Sequence, residues 1–110
     1  ELYKRKILDF KKTIIELESP VYAYGAAQML PTLAYHMESN LDFLRGILDD
    51  CKYRPGLTYP YIPVRIQRPE EVDDLTEATV IITAMDAVRP IMKRLRDFNP
   101  AYITTPVQFY

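Results

Sequence analysis

The chain lacks the residues on which several classes of site depend. Its 110 residues include one cysteine and one histidine. A lone cysteine cannot form an internal disulfide, and one cysteine with one histidine cannot supply the four ligands of a structural zinc site. We therefore predict no metal site in these residues. The cysteine usage suits a reducing compartment, so we expect a cytoplasmic location.

The chain also has no large excess of charge of one sign and no long hydrophobic run. Fourteen basic residues face 15 acidic ones, for a net charge of -1. This balance provides no field for nucleic acid or an anionic membrane surface. The apolar runs fall well short of the ~20 residues that a membrane span needs. We predict neither nucleic acid nor membrane as a partner. The length suits one domain over residues 1–110 with its own core.

Alternating strand and helix patterns then define the fold class. Residues 1–18 carry a helical apolar stripe and form a leading or linker helix. Two apolar runs without alternation, Val21–Tyr24 and Val80–Thr83, are typical of central strands covered on both faces. Further strands are predicted in "DFLRGILDD", at Ile62–Ile66 and in "AYITTPV". The order predicts an α/β, Rossmann-like, doubly wound and mostly parallel five-stranded sheet, with strand order 3-2-1-4-5 and an N-terminal helix.

Helix signals separate these strands. Pro31 suits the first turn of a helix after the first strand. "RPEEVDDL" suggests a short helix with proline in its first turn, and Asp86 resembles the N-cap of a helix in "AVRPIMKRLRDF".

The turn after the first strand is the first candidate site. In open α/β sheets, ligands bind beyond the carboxyl ends of the strands. A dinucleotide fingerprint needs three glycines there, but this chain offers Gly25, Ala27 and Leu30. Asp49 follows at about the distance of a ribose-binding acid. The alternative is that Gly25 and its small neighbours only permit a tight turn.

Three longer motifs carry a resemblance to a known family. They are "VYAYGAAQMLPTLAYHM", "ILDDCKYRPGLTYPYIPV" and "ATVIITAMDAVRPIMKRL". Together they resemble the C-terminal domain of sugar C-methyltransferases, which act on nucleotide-linked deoxysugars. The matching positions are Tyr24, Gly25 and Ala26 in the turn, Thr32 and Leu33 in the helix, Asp49 after the second strand, Arg54, Gly56 and Pro60 in the loop, and Ile62, Pro63 and Val64 in the third strand. The resemblance spans roughly residues 7–107.

This resemblance implies a division of labour in a longer protein. The parent would have a zinc-binding N-terminal region, a central S-adenosylmethionine domain and this Rossmann-like domain, excised from its C-terminal end. The resemblance implies no catalytic residue and no cofactor within these residues, with S-adenosylmethionine and zinc held elsewhere in the parent. This sequence departs from the family pattern at Gln28–Pro31, where the family commonly has a lysine, a glycine and an asparagine. That lysine is a phosphate contact in this interpretation.

The expected ligand is therefore a nucleotide-sugar, and the expected protein partner is the upstream methyltransferase domain. The backbone N–H groups of Gly25–Gln28 would face the ligand, Asp49 would accept a sugar hydroxyl, and Lys52 and Arg54 would meet phosphate. The predicted substrate-binding residues are Tyr24, Gly25, Ala26, Ala27, Gln28, Asp49, Lys52 and Arg54.

Two alternatives stay open. The domain could be a degenerate Rossmann-like module that serves domain packing or dimerisation without a ligand. Tyr53, Tyr59 and Tyr61 share one loop with Lys52 and Arg54, a set that could stack on a base and pair with phosphate. The same rings could instead pack against the domain or a neighbour.

Overall fold

The computed structural model describes residues 2–106 and 108–109. The helices are α1 (Leu2–Glu16), α2 (Met29–Met37) and α3 (Val88–Leu95), and the strands are β1 (Val21–Tyr24), β2 (Leu44–Leu48), β3 (Thr58–Tyr59), β4 (Ile62–Gln67), β5 (Thr79–Ile82), β6 (Tyr102–Thr105) and β7 (Gln108–Phe109). None of the helices within the described residues is long and apolar enough to cross a membrane.

All seven strands join one mixed sheet in the order β3-β4-β2-β1-β5-β6-β7. The five inner strands are parallel to their neighbours, and β3 and β7 pair antiparallel at the two edges. The prediction of a mostly parallel α/β sheet is confirmed. The predicted count of five strands, with 3-2-1-4-5 as the complete order, is wrong, because β3 and β7 extend the sheet. Strands of two residues are too short to show a period in the sequence.

The two apolar runs form the centre of the sheet. β1 pairs with β2 on one side and with β5 on the other, and Ala23 lies opposite Ile81 in the β1–β5 pair. All four residues of β5 are buried, as are three of the four in β1. The central position of both runs is confirmed, although β5 ends one residue before the predicted end at Thr83.

Each face of the sheet is covered by its own hydrophobic cluster. One cluster packs α1 and α2 against the sheet and includes Ile7 and Ile81. The other packs α3 against the opposite face and includes Ile82 and Leu95. Because side chains alternate along a strand, the neighbouring isoleucines of β5 point into different layers.

One local prediction about helices is wrong, and another is confirmed in part. Asp86 does not cap a helix, because it lies inside a short 3-10 turn, Met85–Ala87, and Ala87 precedes α3. In "RPEEVDDL" the predicted short helix with proline in its first turn is present as a single 3-10 turn, Pro69–Glu71, which ends at the extended Val72.

Truncation of either central isoleucine should destabilise the fold. Ile81 and Ile82 are both 0% exposed, so Ile81→Ala and Ile82→Ala should each lower the free energy of unfolding by about 2–5 kcal/mol. Urea denaturation measures this loss. The control Ile15→Ala, at a side chain that is 53% exposed, should cost about 0.5 kcal/mol or less. Losses below about 1 kcal/mol at both strand positions would contradict burial in two packed layers.

Candidate functional site

A crevice opens where the connections from neighbouring strands leave the sheet in opposite directions. After β1 the chain continues to β2 on one side, whereas β5 lies on the other side of β1. The carboxyl ends of β1 and β5 therefore form the topological switch point, where open α/β sheets bind ligands. A cavity of about 300 Å³ lies there. Its lining consists of Tyr24, Gly25, Asp49, Asp50, Ala84, Ala87, Pro90, Ile91 and Arg94.

Gly25 brings the two central strands together at the base of this crevice. Its φ is +116°, a conformation that favours glycine. A Cβ atom at this position would lie 2.5 Å from the Cβ atom of Ala84. The hydroxyl of Thr83 also donates a hydrogen bond of 2.6 Å to the carbonyl oxygen of Gly25. The glycine is thus needed for the approach of the segment after β5, in addition to the turn itself.

The carboxylate of Asp49 organises the turn after β1. Its Oδ2 atom accepts hydrogen bonds from the backbone N–H of Ala26, at 2.8 Å, and from Nη1 of Arg54, at 3.0 Å. Its Oδ1 atom accepts the backbone N–H of Cys51 at 2.8 Å. Arg54 Nη1 also donates to the carbonyl oxygen of Ala26 at 2.8 Å. A buried anion occupies the position at which a ligand anion would meet the N–H of Ala26.

A second network crosses the crevice from β1 to α3. The hydroxyl of Tyr24 donates to Oδ2 of Asp50 at 2.8 Å, and Nε of Arg94 donates to Oδ1 of Asp50 at 3.3 Å. Nη2 of Arg94 contacts Oε1 of Glu70. Burial raises the pKa of the Tyr24 phenol well above its ordinary value, and the hydrogen bond to the Asp50 carboxylate adds to this effect. The phenol therefore stays neutral and serves as a hydrogen-bond donor.

Sequence reasoning missed Arg94, Glu70 and the apolar part of the crevice. Arg94 lies in the last turn of α3, far along the chain from the turn after β1. Helix side chains point back toward the helix N-terminus, so a long side chain at this position reaches the carboxyl edge of the sheet. No local motif announces such a contact, because it depends on where α3 packs.

The structure separates the predicted binding residues into three groups. Tyr24, Gly25 and Asp49 line the crevice. Ala26, Ala27 and Gln28 follow in the turn, and Gln28 precedes α2 without capping it through its side chain. Arg54 joins this turn through Asp49, whereas Lys52 places its ammonium 5.1 Å from the ring centre of Tyr53.

The three tyrosines of the loop, Tyr53, Tyr59 and Tyr61, do not all lie in the same place. Tyr59 and Tyr61 line a groove of about 460 Å³ beside α2, together with Tyr35. Tyr53 does not line it. The Tyr59 hydroxyl donates to the carbonyl oxygen of Ala27 at 3.1 Å, and burial raises the pKa of this phenol. The groove therefore adjoins the turn after β1.

The described residues do not fit a metal ion. Across residues 2–106 and 108–109 no three or more histidine, cysteine, aspartate or glutamate side chains gather in a way that could hold one.

The mostly parallel sheet, with helices on both faces and a crevice at its switch point, defines an α/β domain. A family model described as the C-methyltransferase C-terminal domain matches residues 1–104. The chain belongs to this family. No curated protein and no solved structure shows significant similarity to it.

Replacing glycine by alanine at two positions tests whether Gly25 is needed only for its positive φ or also for its close contact with Ala84. Gly25→Ala should destabilise the domain by more than Gly56→Ala, because both glycines have positive φ but only Gly25 has a close neighbour. A strained backbone of this kind costs about 1–3 kcal/mol, and the clash with Ala84 adds to it at Gly25. Urea denaturation of both variants makes the comparison. Equal losses would mean that conformation alone determines the requirement for glycine at position 25.

The Tyr24 phenol should make stability fall in alkali. An unfolded tyrosine loses its proton near pH 10, whereas the raised pKa keeps the folded phenol protonated. Above that pH the folded state binds more protons, so the free energy of unfolding decreases, by at most about 1.4 kcal/mol per pH unit for one group. Tyr24→Phe should cost about 1 kcal/mol at pH 8 and progressively less at pH 10–11.

Urea denaturation over this pH series measures the effect, with Tyr61→Phe as the control at an exposed phenol. A stability difference between the parent and Tyr24→Phe that is independent of pH would contradict the assignment.

Proposed function

We propose that this domain helps to bind the nucleotide-sugar substrate of an S-adenosylmethionine-dependent C-methyltransferase. The observation that carries the proposal is the 300 Å³ crevice at the switch point, in a domain of the C-methyltransferase family. Its wall presents a neutral phenol, a carboxylate and a guanidinium group, from Tyr24, Asp50 and Arg94. Groups of these types form hydrogen bonds with the hydroxyl groups of a sugar.

The charges favour the sugar end of the substrate inside the crevice. Among the described residues at this edge, the carboxylates of Asp49, Asp50 and Glu70 are paired with guanidinium groups, which come from Arg54, Arg68 and Arg94. The three carboxylates and three guanidinium groups balance, so this network leaves no excess positive charge to hold a diphosphate inside the crevice. A hydroxyl or amino group of a sugar is compatible with this balance, and a diphosphate is better placed outside it.

The diphosphate would lie along the turn after β1. Asp49 already takes the N–H of Ala26, and Ala27 donates its N–H to the carbonyl oxygen of Gly25 at 2.9 Å. Arg54 uses Nη1 for its internal bonds, and its side chain is 47% exposed. Its remaining N–H donors are available for phosphate. Lys52 and the N-terminus of α2, which Gln28 precedes, would add positive charge nearby.

The methyl transfer itself would take place outside these residues. In this proposal S-adenosylmethionine and zinc belong to upstream domains of the parent chain, and the protein works in the cytoplasm. The domain contributes substrate position and no reacting group.

Thermal denaturation with nucleotide-sugars tests the proposal. Uridine and thymidine diphosphate glucose should stabilise the chain, by about 2.7 kcal/mol at a hundredfold excess over the dissociation constant. Ala87→Leu should weaken this effect at least tenfold in affinity, because Ala87 lines the crevice. The control Ala101→Leu makes the same change at an exposed site that does not line it. A flat melting temperature with both ligands would sink the proposal.

One observation favours a second function: the backbone N–H groups of Ala26 and Ala27 already form hydrogen bonds within the protein. Since Asp49 occupies the anion position, the module could serve domain packing or dimerisation without a ligand. This alternative predicts that no nucleotide-sugar binds and that Ala87→Leu has no effect on ligand titrations. Sedimentation of the chain at several concentrations would then report whether it self-associates.

A further inference from the structure

A mostly apolar groove of about 460 Å³ lies beside α2, next to the proposed substrate path. One wall comes from one side of α2, where Pro31, Ala34 and Tyr35 follow at helical spacing. The other wall comes from the β3–β4 hairpin, with Tyr59, Pro60 and Tyr61. Two tyrosines of the groove are largely exposed to solvent, Tyr35 at 79% and Tyr61 at 88%.

The polar groups of the groove have hydrogen-bond donors left to offer. Oδ1 of Asn40 accepts the backbone N–H of Asp42 at 3.1 Å, which fixes the amide and leaves its NH₂ group as a donor. Oγ of Ser39 accepts the backbone N–H of Leu41 at 3.0 Å and keeps its own proton to donate. Both residues line the groove. A mostly apolar groove that also carries hydrogen-bond donors complements a planar ring with carbonyl oxygens.

The groove is continuous with the turn that leads to the crevice. Tyr59 lines the groove and donates to the carbonyl oxygen of Ala27. Ala26 is bound to Asp49 and Arg54, and Gly25 lines the crevice. Three consecutive residues therefore connect the two concavities, and their outer Cα atoms are at most about 7 Å apart even at full extension.

We propose that this groove binds the base of the nucleotide-sugar, stacked between Tyr35 and Tyr61, with Asn40 donating to a carbonyl oxygen on the edge of the base. The inference rests on the proposed function and adds to it the place and chemistry of base recognition. A base in the groove puts the diphosphate at Ala26, Ala27 and Arg54. The sugar then reaches the crevice.

Calorimetric titration of the 110-residue chain with uridine diphosphate and uridine diphosphate glucose tests the inference. Tyr35→Ala and Tyr61→Ala should each weaken both ligands about 5- to 100-fold, the range for loss of one base-stacking partner. The matched control is Tyr53→Ala, a tyrosine with the same 79% exposure as Tyr35 but outside the groove. Its affinity should stay within about twofold of the parent. Glucose 1-phosphate, which has no base, should bind all four proteins equally.

A second variant tests the donor. Asn40→Asp keeps an acceptor for the N–H of Asp42 but removes the NH₂ group, so uridine nucleotides should bind at least tenfold more weakly. Parent-like binding of uridine diphosphate by the Tyr35, Tyr61 and Asn40 variants would overturn the inference and leave the proposed function standing. An equal loss for glucose 1-phosphate would also overturn it, since the base would not be the cause. No binding of uridine diphosphate glucose by the parent would overturn both.

Discussion

The carboxyl edge of the sheet depends on the hydrogen bonds that the carboxylate of Asp49 accepts. Through it, the end of β2 holds the turn after β1 by the N–H of Ala26 and holds the following loop by Cys51 and Arg54. The backbone N–H of Asp49 also donates to Gln67 at the end of β4. Taking a carboxylate out of water is costly unless it is paired and hydrogen-bonded. The surrounding segments supply those partners, and they are fixed in place by supplying them.

This constraint also determines where a ligand can be bound. A loop that already surrounds its own anion has less to offer a phosphate than an empty nest of N–H groups. Positive charge is left at the exposed face of Arg54 and at Lys52, and hydrogen-bonding groups are left in the crevice and the groove. In our proposal the three parts of a nucleotide-sugar are therefore recognised by three different surfaces.

Some features of the fold could be read from short stretches of sequence. The central strands were predictable because residues 21–24 and 80–83 are apolar without alternation, as burial on both faces requires. The edge strands β3 and β7 were not, since two residues carry no period. Asp86 was misassigned because its residue type suits a cap, while the path of the chain after β5 places it inside a 3-10 turn.

The candidate site divides in the same way. Tyr24, Gly25 and Asp49 were predictable as crevice residues because each one ends or directly follows a parallel strand, and the carboxyl ends of these strands share one edge of the sheet. Arg94 was not, since its contact with Asp50 arises only when α3 packs on the sheet. Tyr53 lies outside the groove that Tyr59 and Tyr61 line, and this difference likewise depends on how the loop folds.

The sequence by itself determined the fold class, the central strands and the family, because periodicity and ordered motifs are local properties that survive without coordinates. Only the tertiary structure decided that Asp49 binds the turn beside it, that Arg94 joins the crevice, and that a tyrosine groove adjoins it. The physical reason is that hydrogen bonds and packing between distant segments depend on their positions in space, which no local pattern specifies.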